Sequence, residues 1–394
     1  MFGKSYPLFS ILGFSVRADL SWLVIVTLVI WSLAGFVFPQ ELPGRPWGLY
    51  LAMGLLAALG LFASIVVHEL SHSLVAQRYG LPMKGITLFI FGGVAEMSDE
   101  PPNPKAEFLM AIAGPVASVV VGAVCLAAAA VVAAAGGAAG AVAILRWIGL
   151  INILLVIFNM IPGFPLDGGR VLRSALWQWK KDLRQATRIA AKVGAVFGAV
   201  LIGLGFVSLL LGNPMGGLWW ILIGWFVRSA AKQSYQQVLV RQMLAGQPVS
   251  RFMNTQPVSV PPSLPLQQLV EDYIYRYHHK MFPVVDPDGR LVGCVTAGNL
   301  RNVNREEWPA RTVGEVTGPC GDANTIEPQV DAMEALRRMS RNQVSRLVVT
   351  HDGRLEGILT LKDLLDYLAL KAELEAQDAE QIRALRERRS RDAA

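Results

Sequence analysis

The chain has 394 residues, of which 53% are hydrophobic and only 17% charged, too apolar for an ordinary soluble protein. Its net charge of +6 reads as loops facing an anionic cytoplasmic leaflet rather than as a surface for nucleic acid, and no direct nucleic-acid partner is expected. Three cysteines, Cys125, Cys294 and Cys320, show no CxxC spacing, which argues against a disulfide framework and against a cysteine-based metal site.

At the N-terminus no short apolar core precedes a small-residue cleavage site, so the first apolar run is read as a retained helix. Residues 1–18 alternate short apolar segments with Lys4 and Arg17 and are expected to form a small strand pair at the membrane surface. Residues 20–38 suffice for a first span, closed by Pro39-Gln40-Glu41. A second run, residues 47–78, exceeds a plain crossing and holds His68-Glu69-Leu70-Ser71-His72 in its second half. Gly80-Leu81-Pro82 ends it. Residues 83–98 change character: 86–91 are β-branched and aromatic, Gly92-Gly93 signals a turn, and 94–97 can return as a second strand.

Residues 106–135 form a third expected span, in which Gly114-Pro115 reads as a helix-packing device. A fourth, residues 142–161, runs into Pro162-Gly163-Phe164-Pro165-Leu166-Asp167-Gly168-Gly169-Arg170. Residues 170–188 are polar and basic, read as a flanking loop. Residues 189–211 and 217–227 complete about six spans, the last one short. With a cytoplasmic N-terminus, the inner flanks carry fourteen Lys and Arg and the outer flanks only Arg45 and Arg146. That bias places both termini inside and puts the His68–His72 stretch and Asp167 toward the same side of the membrane.

From residue 249 the composition turns soluble and a repeat appears at a spacing of 64. Residues 283–300 align with 347–364 at nine identities in eighteen, and Asp-Gly-Arg-Leu recurs intact. Each copy reads as helix, strand, Asp-Gly turn, strand, helix. The expected fold class is therefore a multi-pass α-helical membrane protein with a small membrane-associated β element, followed by a soluble α/β tandem module. Its parts are a membrane core at 1–235, a linker at 236–248, soluble repeats at 249–308 and 309–370, and a charged tail at 371–394.

The chemistry gathers at residues 68–72. One turn apart on a helix, His68 and His72 share a face and can hold one zinc ion, with Glu69 beside them as general base. Ionisable groups at membrane depth are costly and point to function. A third ligand has two candidates, Glu96 and Asp167, and Asp167 is the better one because Gly168-Gly169 and the flanking prolines suit a close-packed helix end. Zinc-bound water would have its pKa lowered toward ~7, within reach of a carboxylate base. Eight residues before Asp167, Asn159 offers an amide that can donate to an oxyanion. His278 and His279 are adjacent, on different faces, and do not read as a metal site.

His-Glu-Leu-Ser-His on a helix, followed by Asn159-Met-Ile-Pro162-Gly-Phe-Pro165-Leu-Asp167-Gly-Gly169-Arg170, resembles the site-2 protease family of intramembrane zinc metalloproteases, in the prokaryotic branch with paired CBS domains. The resemblance implies that His68, His72 and Asp167 bind zinc, that Glu69 is the catalytic base, and that Asn159 assists the substrate or oxyanion. It implies that Phe91, Gly92 and Gly93 belong to a strand loop that receives the substrate as an added strand. The implied substrates are single-span membrane regulators such as anti-sigma or pro-sigma factors, cut in a prokaryotic cytoplasmic membrane. The repeat resembles a tandem CBS pair, a module that binds ATP or another adenine nucleotide and associates as a homodimer. Its Gly–Thr–Asp/Asn pattern stands as Gly293, Thr296 and Asn299 and as Gly357, Thr360 and Asp363. Because Asn299 replaces the aspartate in the first copy, the nucleotide contacts implied are Thr360 and Asp363, with Thr296 in the weaker copy. A competing reading is a CBS-regulated membrane transporter or channel using His68, Glu69 and His72 as an ion path. No inverted repeat of spans supports that reading.

Overall fold

Long apolar runs without internal breakers become long helices. In the computed structural model, which describes residues 5–81, 83–90, 92–97, 100–321, 323–371 and 373–374, five helices are long and apolar enough to cross a membrane. They are α1 (Leu20–Glu41), α2 (Trp47–Arg78), α3 (Pro104–Ala134), α4 (Ala139–Asn159) and, after the shorter α5 (Asp167–Lys180), α6 (Leu183–Leu210). The sixth run behaves differently from its reading as a short span: α7 (Pro214–Leu244) is one continuous helix of 31 residues. Its apolar first half passes without a break into a half carrying Arg228, Lys232 and Arg241. Phe91 and most of the charged tail lie outside the described residues.

Local chemistry sets the ends of these helices. The Asp19 carboxylate accepts from the Ser21 amide (2.9 Å) at the start of α1, and Asn103 Oδ1 accepts from the Ala106 amide (2.8 Å) at the start of α3. At the end of α2, Gly80 takes a left-handed φ of 73°, which lets its amide reach the Gln77 carbonyl (2.9 Å) and that of Leu81 reach Ala76 (3.2 Å). This paired closure leaves Leu81 packed on Ala76 and on Met110 of α3. Residues 170–180, read as a loop, are instead helical in α5. Val171, Leu172 and Leu176 recur at helical spacing among the polar residues and are half-buried, so the segment is an amphipathic helix.

Four strands form one sheet in the order β1 (Ser5–Ile11), β2 (Phe14–Asp19), β3 (Met83–Phe89), β4 (Gly92–Met97). The two expected hairpins are present, and β2 joins them by pairing parallel to β3, with Val16 opposite Ile86. Positive φ at both Leu12 and Gly13 closes the first hairpin tightly. Phe14, Val16, Ile86 and Leu88 bury one sheet face against Val66 and Leu70 of α2. The sheet is thereby fixed to the half of α2 that carries the two histidines.

The chain separates into two units, residues 1–238 and 239–394. In the second, each repeat supplies a strand pair, β5 (Met281–Val285) with β6 (Leu291–Thr296), and β8 (Arg346–His351) with β9 (Arg354–Thr360), the latter joined by the short β7 (Thr325–Ile326). Val249 and Phe252, at the start of the first repeat, are buried in the core of the second with Leu347 and Leu359. Val313, near the start of the second, is buried in the core of the first with Phe282 and Val295. Contrary to the sequence expectation for the cysteines, Cys294 and Cys320 form a disulfide, their Cα atoms 5.8 Å apart. A backbone bridge between Cys294 and Gly318 brings these residues together, a long-range pairing that cysteine spacing cannot reveal.

Candidate metal centre

Three elements meet at the site. From α2 come His68 and His72, from α3 the groups behind them, and from the first turn of α5 comes Asp167. All three side chains are buried, and each presents one ligand atom, the atoms lying within 4.8 Å of one another. His68 Nε2 is 3.0 Å from Asp167 Oδ2, His72 Nε2 is 3.3 Å from the same oxygen, and the two Nε2 atoms are 3.1 Å apart. A tetrahedral zinc shell with bonds of about 2.0–2.1 Å spaces its ligand atoms about 3.3–3.4 Å apart.

The far side of each imidazole explains why both Nε2 atoms turn inward. His72 Nδ1 donates to the Met110 carbonyl (2.6 Å), so its proton is committed there and the Nε2 lone pair faces the centre. His68 Nδ1 lies 3.0 Å from Ser118 Oγ, which orients the second ring in the same way. Two imidazole lone pairs and a carboxylate oxygen at these separations repel one another unless a cation lies between them. The donor set and its spacing therefore fit zinc.

Close approach is built with glycine. A Cβ on Gly114 of α3 would meet His72 Nε2 and would sit 2.6 Å from His68 Nε2. Gly114 thus makes room for the imidazoles, where the sequence suggested only helix packing. On α5, a Cβ at Gly168 would stand 2.5 Å from the Ile161 carbonyl, and one at Gly169 would meet the Gly163 and Phe164 backbone. These glycines let the first turn of α5 seat Asp167 against the loop that follows α4. At Gly93 of β4, a Cβ would come 2.8 Å from Glu69 Cγ, so the strand passes directly beside that carboxylate.

Other candidates fall at different distances from this centre. Glu69 is half-buried on α2 next to His68. Gly92 and Gly93 begin β4, one of the two edge strands of the sheet. Asn159 is the last residue of α4, half-buried, and its amide makes no hydrogen bond among the described residues. A buried amide does appear one helical turn above His68: Asn152 Nδ2 donates to Ser64 Oγ (3.0 Å), tying α4 to α2. Ser118, the Met110 carbonyl and Asn152 escaped the sequence reading, and Gly114 was read there as a helix-packing device. The one available signal was the presence of Ser118, Gly114 and Asn152 inside otherwise apolar spans.

In the second unit, Thr360 and Asp363 are joined, the Thr360 amide and hydroxyl both donating to Asp363 Oδ2 (2.8 and 2.7 Å). They line a cavity of about 520 Å³ together with His278, His279, Arg346 and Lys362. Thr296 makes the equivalent cap with Asn299 in the first repeat.

Known proteins are similar to this chain over both of its units. The sequence matches the description Peptidase family M50 over residues 56–136 and 129–201, and CBS domain over residues 249–306 and 313–370. It is 36% identical over 359 residues to a Mycobacterium tuberculosis protein named zinc metalloprotease Rip3, spanning 91% of each chain. It is 33% identical over 368 residues to a Synechocystis protein named zinc metalloprotease sll0528, spanning 92% of this chain and 95% of that one. Among solved structures it is similar to a site-2 protease from Methanocaldococcus jannaschii, at 30% identity over 59% of this chain and 95% of that one, with a TM-score of 0.42. The chain therefore belongs to peptidase family M50, the site-2 proteases, in the branch that carries a tandem pair of CBS domains.

Proposed function

We infer that this protein is an intramembrane zinc endopeptidase, with His68, His72 and Asp167 holding one zinc ion and Glu69 serving as base. The observation that carries the reading is the convergence of two Nε2 atoms and one carboxylate oxygen beside Glu69 within an apolar helical chain. When bound, zinc supplies Lewis-acid polarisation of the scissile carbonyl and acidifies the attacking water. The Met110 carbonyl holds His72 in the tautomer that binding requires, and Ser118 orients the His68 ring. The Glu69 carboxylate takes the proton from the attacking water and passes it to the leaving amine. Gly93 lets β4 run close enough to Glu69 that a peptide added to the outer edge of β4 lies beside that carboxylate. Phe91 and Gly92 belong to the same receiving segment, and Asn159 donates to the oxyanion.

A helical transmembrane peptide hides its amide bonds, so strand addition also provides the extended conformation that cleavage needs. Substrates are single-span membrane regulators of the anti-sigma or pro-sigma kind, cut in a prokaryotic cytoplasmic membrane with both termini and the CBS pair inside. The test uses the full chain in detergent with zinc and a single-span substrate. Glu69→Gln is expected to keep its zinc and to lose cleavage by about 10²–10⁴-fold. Cleavage at the parental rate in that variant would overturn the assignment.

The CBS pair is proposed to bind ATP or another adenine nucleotide in the cavity at Thr360 and Asp363, with Thr296 in the weaker half, and to modulate proteolysis as a homodimer. The Arg346 and Lys362 cations and the imidazoles of His278 and His279 around the cavity suit a phosphate-bearing ligand. If ATP and AMP leave both the cleavage rate and the thermal stability of the second unit unchanged, nucleotide control is wrong.

A further inference from the structure

The two histidines of the centre each have a group that orients them; Asp167 does not. Among the described residues its carboxylate faces only the two imidazoles that share the centre with it, His68 Nε2 at 3.0 Å and His72 Nε2 at 3.3 Å. Its position must come from how α5 is seated, and Arg173 is a buried polar anchor of α5. This residue is 5% exposed, and its Nε and Nη2 both bond Glu107 Oε1 on α3, where Glu107 is wholly buried. Arg173 Nη2 also lies 3.2 Å from Glu100 Oε2, and its guanidinium stacks over the Phe164 ring at 5.1 Å. One side chain thus ties α5 to α3, to the segment entering α3, and to the loop that precedes Asp167.

The anchor lies on the face of α3 that serves the histidines. Glu107, Met110, Gly114 and Ser118 recur at helical spacing and are all buried. Read along that face, Glu107 holds α5, Met110 holds His72, Gly114 leaves space for both rings and Ser118 holds His68. The same helix therefore sets the position of every proposed ligand, two of them directly and the third through Arg173.

We propose that Arg173, clamped by Glu107 and Glu100, is the positioning residue for the third metal ligand. It sets how closely α5 packs on α3, and so where Asp167 Oδ2 lies relative to the two imidazoles. The proposal rests on the metal reading given above. Arg173 touches neither metal nor substrate and acts only through Asp167. Glu107 Oε2 makes no hydrogen bond among the described residues, so one oxygen carries the contact and Glu107→Gln removes charge with little change of volume.

The test compares the full-length parent with Arg173→Lys, with the double variant Glu107→Gln/Arg173→Leu, and with Asp167→Ala, all in the same detergent. Zinc affinity is measured by chelator competition and coordination by the visible bands of the cobalt(II)-substituted protein. Removing both charges spares the cost of a lone buried ion. The double variant should therefore keep a melting temperature near the parent's while binding zinc at least ten-fold more weakly, with altered cobalt bands. Parental zinc affinity with unchanged bands would reduce the pair to a structural brace and overturn the proposal. Should the double variant not fold, Arg173→Lys carries the same readings, since it keeps the charge and loses the fork that reaches Glu107 and Glu100 together. Parental zinc affinity in Asp167→Ala would refute the metal reading itself, an outcome separate from the behaviour of Arg173.

Discussion

Gly114→Ala offers a sharp test of the site because it adds one methyl group where the imidazoles lie. The new Cβ would sit 2.6 Å from His68 Nε2 and closer still to His72 Nε2. An ordinary contact needs about 3.5 Å, so His68 Nε2 would have to retreat by roughly 0.9 Å. Neither ring retreats freely, since Nδ1 of His72 is committed to the Met110 carbonyl and that of His68 to Ser118. Either those bonds lengthen or α3 moves away from α2, carrying the wall of the site with it. Overpacking of this kind costs about 1–3 kcal/mol of stability. A displacement near 1 Å at a reacting centre costs about 10²-fold in rate. The assay measures zinc affinity, thermal melting and cleavage of a single-span substrate on one preparation. Zinc binding is expected to weaken about 10–100-fold and cleavage to fall by about 10²-fold or more. Gly203→Ala on α6 is the control, since nothing lies within 4 Å of its added Cβ and both readings should stay parental. A Gly114→Ala protein with parental zinc affinity and rate would refute the close approach of α3 to the histidines.

Ser118→Ala removes the partner of His68 Nδ1 and should weaken zinc binding about 10–100-fold while the protein stays folded; parental affinity would show that the hydroxyl does not orient the ring. Dialysis against a strong chelator should abolish cleavage and one equivalent of zinc should restore it, whereas cleavage by fully metal-free protein would refute metal dependence. In the second unit, Asp363→Ala and Arg346→Ala should each weaken nucleotide binding by calorimetry by about ten-fold, as expected for losing a charge-assisted contact, and unchanged binding would move the ligand elsewhere. Thiol counting on unfolded protein should find Cys125 alone before reduction and all three cysteines after it; three thiols without reductant would disprove the Cys294–Cys320 bond.

Local patterns made much of this architecture legible. α2 occupies the span read from its apolar run, because a run without internal Pro between Pro46 and Gly80 admits no other regular structure in an apolar setting. The hairpin at residues 83–97 followed from β-branched residues meeting Gly92-Gly93. Both readings depend on neighbours in sequence. α5 was misread because its polar and basic residues dominate the composition, while its apolar stripe becomes significant only against the loop and helices that cover it. Arg173 shows the point most clearly: in a basic flank it looks solvated, yet it is buried on Glu107, 66 residues away.

For the site itself, His68, Glu69 and His72 were determined by sequence, since a four-residue spacing on a helix places both imidazoles on one face wherever that helix goes. Asp167 could be preferred over Glu96 on its glycine- and proline-rich context, but its distance from the histidines could not be read there, because a third ligand is a matter of distance between elements. The tertiary structure alone decided that Asp167 lies 3.0 Å from His68, that Ser118 and the Met110 carbonyl orient the two rings, and that Gly114 leaves them room. It also paired β2 with β3 and Cys294 with Cys320. Each of these contacts joins segments distant in the chain, and their existence depends on how closely helices and strands approach one another in the folded protein, a quantity no local spacing contains.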